Sequence, residues 1–362
     1  MAGFQKSRLA VLTCWCTFGA NTLPLRTFWD KYSKTLIRKD ERFSLSALLC
    51  LGAFCATLRK TTVPAKYELF GGMTMTKEEL IRAIEDFVET DGRNYVAAED
   101  AISPELAGLR MYEAPLLGFA AAEDTLFTEE FKREGVISPD YLSPREWLPG
   151  AKTVISVFLP FTKEVRDSNR EKIDVPYAEG IPQRAGAAWL HARVEGQTFV
   201  DALAAHLLQL LTEAGYETVS PSIDKGFRML GPYLSVWSER HAAYAAGLGT
   251  FGLSKGLITE KGMAGRICSV ITTAEFEPTT RPYSDPFEYC NLCGACMKRC
   301  PVNAIDKARG YALGKDQTLC GPYVNGGKLP PHGPRQVVRY GCGKCQVGVP
   351  CEHGIPGRGK AE

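Results

Sequence analysis

The sequence predicts an α/β (α+β) domain followed by a smaller, cysteine-rich C-terminal module. Stretches typical of helices alternate with stretches typical of strands between residues 115 and 278, as in domains that combine both elements. Eight of the thirteen cysteines lie between Cys290 and Cys351, and the first 72 residues share neither pattern. The expected boundaries are 1–72 for a poorly structured extension, 73–280 for the α/β domain and 281–362 for the module.

Residues 1–72 combine a basic composition with a short apolar run. They carry eleven of the 43 Lys and Arg residues and only four of the 41 Asp and Glu residues. Their apolar run, Leu45–Leu58, is shorter than the ~20 residues that cross a bilayer and lies too far along the chain for a signal peptide. The segment is either a poorly ordered extension or weak membrane anchor, or a stretch upstream of the true start. We favour the second interpretation, since Thr76 and Glu79 form a capping box that opens a helix soon after Met73.

The chain without residues 1–72 is mildly acidic. The 32 remaining Lys and Arg residues and 37 remaining Asp and Glu residues give a net charge of about −5. Such a body lacks the broad basic surface of a nucleic-acid-binding protein, so we expect other partners, although the segment from Lys298 onward is locally basic. A dense cysteine block in a chain of this length indicates metal ligands rather than disulfides. Free thiols imply a reducing compartment, which predicts a cytoplasmic protein.

Helix and strand patterns alternate through the first half of the α/β domain. After the capping-box helix, residues 115–124 form a short buried segment and residues 127–135 a helix that ends at a glycine. Residues 148–161, LPGAKTVISVFLPF, contain a Pro-Gly turn and then the β-branched, apolar run of a central strand. Residues 196–222 contain the strongest helix pattern, which stops near Gly215 and is followed by a strand.

A glycine motif follows the next predicted helix, ERHAAYAA. Gly247, Gly249 and Gly252 match the G-x-G-x-x-G dinucleotide fingerprint letter for letter. That fingerprint requires a strand before it, a helix after it and an acidic residue ~20 positions further on. Here the helix comes first, strand-like stretches follow at 256–259 and 266–273, and the acidic residue is missing near that distance. We therefore reject a dinucleotide site and predict a tight loop where the backbone approaches something flat or bulky.

The run CNLCGACMKRCP, residues 290–301, has the spacing of iron–sulfur ligands. In C-x2-C-x2-C-x3-C-P, the first three thiolates bind one [4Fe–4S] cluster and the fourth binds the other cluster of a two-cluster module. Zinc prefers two well-separated cysteine pairs, and a zinc ion would leave several of these thiolates unused. The run therefore predicts iron and sulfur rather than zinc.

The remaining cysteines complete two groups of four. We assign one cluster to a first cysteine set, which comprises Cys290, Cys293, Cys296 and Cys351. The second cysteine set comprises Cys300, Cys320, Cys342 and Cys345. The position of Cys351 is irregular, because Pro350 precedes it where a ferredoxin has a proline after the cysteine. The isolated Cys268 lies in a predicted strand and is interpreted as a small buried apolar residue.

Several stretches together resemble epoxyqueuosine reductases and, behind them, reductive dehalogenases. They are LPGAKTVISVFLPF, ERHAAYAAGLGTFG, GLITEKGMAGRICSVITT, CNLCGACMKRCPVNAI and YGCGKCQ, and the resemblance spans roughly Pro115 to Cys351. Both families are corrinoid-dependent reductases with a C-terminal bacterial two-[4Fe–4S] ferredoxin module. The resemblance implies a reductase-like domain with two clusters and a base-off corrinoid (cobalamin) here.

The resemblance also implies roles for particular residues. The loop of Gly247, Gly249 and Gly252 would lie against the corrinoid, and Arg266 would contact a propionate or amide of that cofactor or make a surface salt bridge. Tyr233 stands where epoxyqueuosine reductases carry an aspartate proton donor, and Leu253 replaces their lysine after the loop. These departures argue against the queuosine reaction itself.

We therefore expect an iron–sulfur oxidoreductase that passes single electrons through two clusters to a cofactor or substrate site in the α/β domain. A reduced ferredoxin or flavodoxin would supply the electrons, and Tyr233 or a neighbour would supply a proton to a small substrate. The alternative is an electron-transfer or reductive-activation protein that serves a partner and has no substrate chemistry of its own. The replacements at Tyr233 and Leu253 favour this alternative.

Overall fold

The computed structural model describes residues 15–18, 21–24, 75–171, 173 and 176–357. The chain divides into two units, Met1–Phe70 and Gly71–Glu362. In the first unit, β1 (Trp15–Phe18) pairs with β2 (Asn21–Pro24) in an antiparallel hairpin. The apolar run Leu45–Leu58, its interpretation as a membrane anchor and the question of the true start lie outside the described residues.

The second unit has helices of one turn to 27 residues and mostly short strands. The helices are α1 (Lys77–Thr90), α2 (Thr125–Thr128), α3 (Pro144–Trp147), α4 (Lys163–Ser168), α5 (Ala187–Glu213), α6 (Glu239–Ala245), α7 (Ala295–Arg299), α8 (Gly310–Leu313) and α9 (Gln317–Gly326). The strands are β3 (Leu116–Ala121), β4 (Thr153–Pro160), β5 (Pro176–Ala178), β6 (Ile181–Pro182), β7 (Thr218–Val219), β8 (Met229–Gly231), β9 (Leu234–Ser235), β10 (Gly249–Phe251), β11 (Leu257–Thr259) and β12 (Gly265–Thr272). Among the described residues, no helix combines the length and the apolar character needed to cross a membrane.

A four-stranded sheet forms the centre of the second unit. Its order is β3-β4-β12-β7, and every neighbouring pair is antiparallel. Strands β4 and β12 pair without a register shift from Thr153 opposite Thr272 to Pro160 opposite Gly265. The predicted combination of helices and strands is confirmed, and the antiparallel pairing makes the arrangement α+β rather than a series of βαβ units.

Both faces of this sheet are covered, which explains the continuous apolar run of β4. All eight residues of β4 are buried. Ile155, Val157 and Leu159 pack into the core that contains the buried side chains of α1 and α5, whereas Val154 and Phe158 pack into the core formed with α6. Because successive side chains of a strand point to opposite faces, the sheet lies between a layer with α1 and α5 and a layer with α6.

Two predicted helices differ from the observed ones. The helix expected from Gly196 begins earlier, at Ala187, and Gly196 lies inside it. Tyr112 approaches the helix there so closely that a Cβ at Gly196 would stand 2.4 Å from the tyrosine hydroxyl oxygen, so the glycine serves packing. The helix expected over residues 127–135 is split into α2 and a 3₁₀ turn, because Glu129 between them leaves helical geometry with φ −128°.

Buried polar side chains join the cysteine-rich C-terminal residues to the rest of the second unit. The guanidinium group of Arg339, only 1% exposed, donates to the Glu195 carboxylate of α5 and, at 2.7 Å, to the backbone carbonyl of Asp100. Lys344, which lies between two cysteines, donates from Nζ to the backbone carbonyl of Asn169 at 3.1 Å. These bonds position loops that have little regular secondary structure of their own.

Candidate functional site

The four members of the first cysteine set line one pocket. Left-handed backbone at Leu292 (φ 51°) and Gly294 (φ 76°) curls the loop that carries three of them. Cys351 lies near the end of the chain, and its backbone carbonyl accepts a 3.0 Å hydrogen bond from the Met263 amide. The structure thus brings together the thiols that the sequence assigns to one cluster, including the irregular Cys351.

The four members of the second cysteine set line a different and much larger cavity. The Sγ of Cys300 accepts a 3.2 Å hydrogen bond from the Ala304 amide. Between Cys342 and Cys345, Gly343 has φ 74° and lies against Trp189 of α5, where a Cβ would stand 2.1 Å from the indole ring. A glycine is required there because the loop must turn and approach the helix at the same point.

All nine described cysteines from Cys268 onward are free thiols. Burial raises the pKa of Cys296 and Cys342 to about 11 and that of Cys351 to about 12, and neighbouring cysteines add to each shift. Thiols crowded in this way become thiolates when a cation compensates their charge, which is what iron does in a cluster. The donor chemistry of both sets therefore fits [4Fe–4S] clusters. Cys268 is 1% exposed inside β12, as expected for a buried apolar residue.

Within the described residues, no three His, Cys, Asp or Glu side chains are placed to hold one ion. A cubane bonds each thiolate to a different iron and so keeps the sulfur atoms further apart than a zinc ion does.

The large cavity has a volume of about 1360 Å³ and is lined by residues between Leu126 and Arg266 and by residues between Ser284 and Gln346. An aromatic series covers part of the lining, where the His241 ring lies 5.0 Å from Phe131 and 4.8 Å from Phe251, between ring centroids. Phe251 continues the series to Phe287 at 6.4 Å. Aromatic side chains and the second cysteine set therefore line the same cavity.

Tyr233 lies at the tip of the β8–β9 hairpin and lines the cavity. Its side chain is 52% exposed, and its backbone has φ 67°, which is rare for a bulky residue. The hydroxyl group approaches Gly321 of α9 so closely that a Cβ there would stand 1.7 Å from Oη. The predicted proton donor therefore spans from the domain to the helix that carries Cys320.

Arg266 also lines the cavity, from strand β12. Its Nη2 donates to the backbone carbonyl of Arg193 on α5. Within the described residues it forms no ion pair with a carboxylate, so the surface salt bridge considered from the sequence is absent there. Arg193 and Arg240 line the same cavity beside it.

The three glycines of the G-x-G-x-x-G motif do not line the large cavity. Gly247 has φ 82° and packs on Thr279 and Thr280, while Gly249 belongs to β10 and faces the backbone of Ile258, 1.9 Å from the site of a Cβ. Gly252 lines the pocket of the first cysteine set. Close approach of protein groups thus accounts for Gly247 and Gly249, and the loop reaches the large cavity through Phe251.

Two titratable residues of α6 have strongly shifted pKa values. Burial raises the pKa of Glu239 to about 7, because Ser269, Ser222 and Trp237 only partly offset the loss of water around its carboxylate. Burial, assisted by the charges of Arg240 and Lys255, lowers the pKa of His241 to about 3.

Neither oxygen of Glu239 is accessible to solvent, and neither makes a hydrogen bond of good geometry in the described part of the chain. His241 lines the cavity, and its Nδ1 lies 2.7 Å from the Ser238 hydroxyl. The cavity therefore has a neutral imidazole among its cationic neighbours.

Sequence reasoning missed Arg193, Arg240 and Trp189 as residues of the cavity. Arg240 is the second residue of the predicted helix ERHAAYAA, and its position beside Glu239 could have drawn attention to it. Arg193 and Trp189 lie on a helix face whose orientation depends on contacts with Tyr340 and Gly343, which are remote in sequence. No local pattern marks them.

Comparison with known proteins gave one family match and a set of similar structures. Residues 286–306 match the family model described as 4Fe-4S binding domain. A search of curated proteins gave no match. Among solved structures, epoxyqueuosine reductase from Bacillus subtilis is similar at 20% identity and a TM-score of 0.45, over 77% of this chain and 66% of that chain.

Two further structures show the range of these neighbours. Epoxyqueuosine reductase with an epoxyqueuosine-modified tRNA-Tyr stem loop matches at 18% identity and a TM-score of 0.35, over 63% of this chain and 52% of that chain. A reductive dehalogenase studied for B12-dependent dehalogenation matches at 15% identity and a TM-score of 0.32, over 63% of this chain and 30% of that chain. This chain spans just under two thirds of the first relative and about half and a third of the other two. The resemblance inferred from the sequence is confirmed: the chain carries a match to a 4Fe-4S binding domain and has epoxyqueuosine reductases and reductive dehalogenases as structural neighbours.

Proposed function

We propose that this protein is an iron–sulfur oxidoreductase that delivers single electrons to a reaction cavity in its own α/β domain. The observation that carries the proposal is the shared lining of that cavity. The second cysteine set lies on one side, and Tyr233, Arg266 and aromatic side chains lie on the other. A cluster bound at that cysteine set would lie beside a substrate or cofactor in the cavity and would pass electrons to it within the protein.

The two cysteine sets follow one another toward the cavity. Cys293 of the first set is exposed, whereas the second set lines the cavity. Helix α7 joins them, since Cys296 lies within it and Cys300 follows its last residue. We infer that a reduced ferredoxin or flavodoxin donates electrons at the first set, and that each cluster, when bound, supplies one-electron transfer.

A corrinoid is the cofactor that we propose for the cavity. The volume of about 1360 Å³ exceeds the ~300–1000 Å³ of ordinary small-molecule pockets. Aromatic side chains beside three guanidinium groups suit a large ring with polar substituents. Arg266 would hold such substituents and Phe251 would contact the ring, and a bound corrinoid would supply a cobalt centre that accepts single electrons.

Tyr233 is the residue that we propose as proton donor. It has the strained backbone often found at functional sites, and its hydroxyl group holds a proton beside the cavity. A two-electron reduction leaves an anionic product that must be protonated, and the hairpin tip places a phenol where it can do this.

We propose a small molecule as the substrate and a cytoplasmic location.

The net charge of the chain is no longer a sufficient reason to set aside a nucleic-acid partner. One structural neighbour was solved with a tRNA stem loop, and this chain has a locally basic stretch from Lys298 onward. A nucleic acid therefore stands beside a small molecule as a substrate to be tested, by binding of tRNA to the iron-loaded protein.

Anaerobic reconstitution tests the electron path. The purified chain should take up about eight irons, because two cubanes hold four each. Cys345→Ser should leave about half of that iron, as should Cys351→Ser, whereas Cys268→Ala should leave all of it. Iron and sulfide analysis and electron paramagnetic resonance of the reduced protein give the readout, and full iron in either serine variant would contradict the assignment of that cysteine.

Cobalamin titration of the iron-loaded protein tests the cavity. Binding should change the corrinoid absorbance, and Arg266→Gln should weaken that binding. The alternative function, electron transfer to a partner without chemistry in the cavity, is favoured by Leu253 and Tyr233. It predicts reducible clusters with no corrinoid bound at any cobalamin concentration.

A further inference from the structure

Adjacent residues of the turn between β10 and β11 line the pockets of the two cysteine sets. The Gly252 amide donates to the Gly256 carbonyl at 2.8 Å, and the Lys255 amide donates back to the Gly252 carbonyl, also at 2.8 Å. Lys255 has left-handed backbone, with φ 64°. Ser254 lines the pocket of the first cysteine set, whereas Lys255 lines the large cavity. The turn therefore presents one hydroxyl group to the first cysteine set.

The hydroxyl group of Ser254 is buried beside a weak hydrogen-bond acceptor. Ser254 is 3% exposed. Among the described residues, the acceptor of its hydroxyl group is the thioether sulfur of Met263, 3.9 Å from Oγ. Buried hydroxyl groups normally have a good acceptor, and a thioether is a poor one. The hydroxyl group is therefore available to a stronger acceptor in the same pocket.

The first cysteine set would supply such an acceptor when a cluster is bound. The sulfur of Met263 that lies beside Ser254 is also 3.8 Å from the Sγ of Cys351. The serine hydroxyl and a cysteine ligand thus share one neighbour in a pocket that all four members of the first set line. Sulfur atoms of a cluster and of its thiolates carry negative charge and accept hydrogen bonds, so they are better acceptors than a thioether.

We propose that the hydroxyl group of Ser254 donates a hydrogen bond to a sulfur atom of the cluster at the first cysteine set and raises the reduction potential of that cluster. Reduction adds one electron, which makes the sulfur atoms more negative and strengthens the hydrogen bond. The bond therefore stabilises the reduced state more than the oxidised state. The inference rests on the proposed function, for Ser254 favours acceptance of an electron at the set where the donor is proposed to bind.

Ser254→Ala should lower the reduction potential of one cluster in the iron-loaded protein. Loss of one hydrogen bond to a charged group should reduce the ratio of reduced to oxidised cluster about tenfold at a fixed applied potential, which is a shift of about 59 mV for a one-electron couple. Potentiometric titration followed by electron paramagnetic resonance measures both clusters in one sample. Unchanged potentials in a variant with full iron would overturn the proposal.

Thr259→Val is the matched control. Thr259 belongs to the same hairpin, is fully buried and lines neither pocket, and its hydroxyl group already donates to the Gly262 carbonyl at 2.7 Å. Loss of this hydroxyl group should leave both potentials unchanged. An equal shift in Thr259→Val would show that packing of the hairpin sets the potential, and the role of Ser254 would be refuted.

Cys345→Ser assigns the shift to one cluster, because that variant should retain the first cluster alone. Ser254→Ala combined with Cys345→Ser should still lower the potential of the remaining cluster. A shift confined to the cluster that Cys345→Ser removes would overturn the proposal.

The natural protein in deuterated water provides a measurement that needs no variant of Ser254. Pulsed electron paramagnetic resonance should detect an exchangeable deuteron coupled to the reduced first cluster, and a cluster without any such coupling would contradict the proposed hydrogen bond. Iron content is measured before each experiment. Failure of the natural protein to take up iron counts against the proposed function, whereas full iron with unchanged potentials in Ser254→Ala counts against the role of Ser254 alone.

Discussion

Glu239 and His241 lie two positions apart on α6, and burial shifts their pKa values in opposite directions. The carboxyl of Glu239 has a pKa of about 7 and the imidazole of His241 a pKa of about 3. Both side chains are therefore neutral in the folded protein over most of the interval between these values. The contribution of Glu239 to stability is therefore lost as pH rises, and that of His241 is lost as pH falls.

Glu239→Gln should become more stable relative to the natural protein as pH rises. The pKa of Glu239 is raised above its ordinary 4.5, so its contribution to stability is complete below pH 4.5 and lost as pH rises through about 7. A neutral glutamine has no such loss. Urea unfolding of both iron-loaded proteins at pH 5 and pH 8 measures the difference, and Glu134→Gln, at an exposed position, serves as control. A difference that stays constant with pH would contradict a buried carboxyl at this position.

His241→Phe should reduce the loss of stability in acid. The pKa of His241 is lowered below its ordinary 6.5, so its contribution is complete above pH 6.5 and is lost as pH falls toward about 3. Phenylalanine retains the ring contacts with Phe131 and Phe251 but does not titrate. Unfolding free energies at pH 7.5 and pH 5 give the comparison. Equal losses in the two proteins would show that the imidazole is not held neutral.

At the scale of elements, the β8–β9 hairpin and helix α9 meet across the cavity. Tyr233 at the hairpin tip touches Gly321, the residue after Cys320. Large exposed apolar side chains, Met229 at 58% and Leu234 at 42%, flank the tip. The contact with α9 is therefore a main constraint on the position of Tyr233.

Gly321→Ala should release the hairpin. A methyl group at this position would lie 1.7 Å from the tyrosine hydroxyl oxygen, so the tyrosine must move away. Amide hydrogen exchange of the hairpin, followed by mass spectrometry, should become faster while iron content stays unchanged. Gly231→Ala is the matched control, because a Cβ there meets nothing within 4 Å. Unchanged exchange in Gly321→Ala would mean that the contact does not hold the hairpin.

At the scale of the molecule, the module and the α/β domain share buried polar contacts close to the cysteines. Glu352, beside Cys351, is 3% exposed and pairs with Arg170 at 2.8 Å and with Arg166 at 3.5 Å. Gly262 faces the backbone of Glu352 and His353 where no Cβ would fit. Groups bound at the first cysteine set are therefore coupled to packing of the domain.

Removal of iron should lower the unfolding temperature of the domain as well as the module. Loss of the clusters frees the loops around Cys351 and so weakens the pairs that Glu352 makes with the domain. Anaerobic differential scanning calorimetry before and after chelation should show the main transition shifting downward. A main transition that keeps its temperature while a smaller one disappears would indicate that the module melts independently.

Part of the fold and part of the site were predictable from local sequence. The β-branched, apolar run of β4 predicted a central strand because burial on both faces leaves an apolar signature, and the run of β12 predicted a strand. The start of α5 was not predictable, since Gly196 serves a contact with Tyr112 rather than a helix end. The antiparallel pairing of the strands was likewise not predictable, because alternating helices and strands are compatible with both parallel and antiparallel pairing.

The sequence by itself determined the chemistry of the donors: eight thiols in two groups, in a spacing typical of iron–sulfur ligands. Only the tertiary structure decided that the second cysteine set faces a large cavity while the first has an exposed member. Only it brought Arg266 to Arg193, 73 positions away, and Arg193 to Tyr340, 147 positions away. The physical reason is that ligand spacing is set by the reach of neighbouring residues, whereas a cavity is the space left between elements whose packing depends on the whole chain.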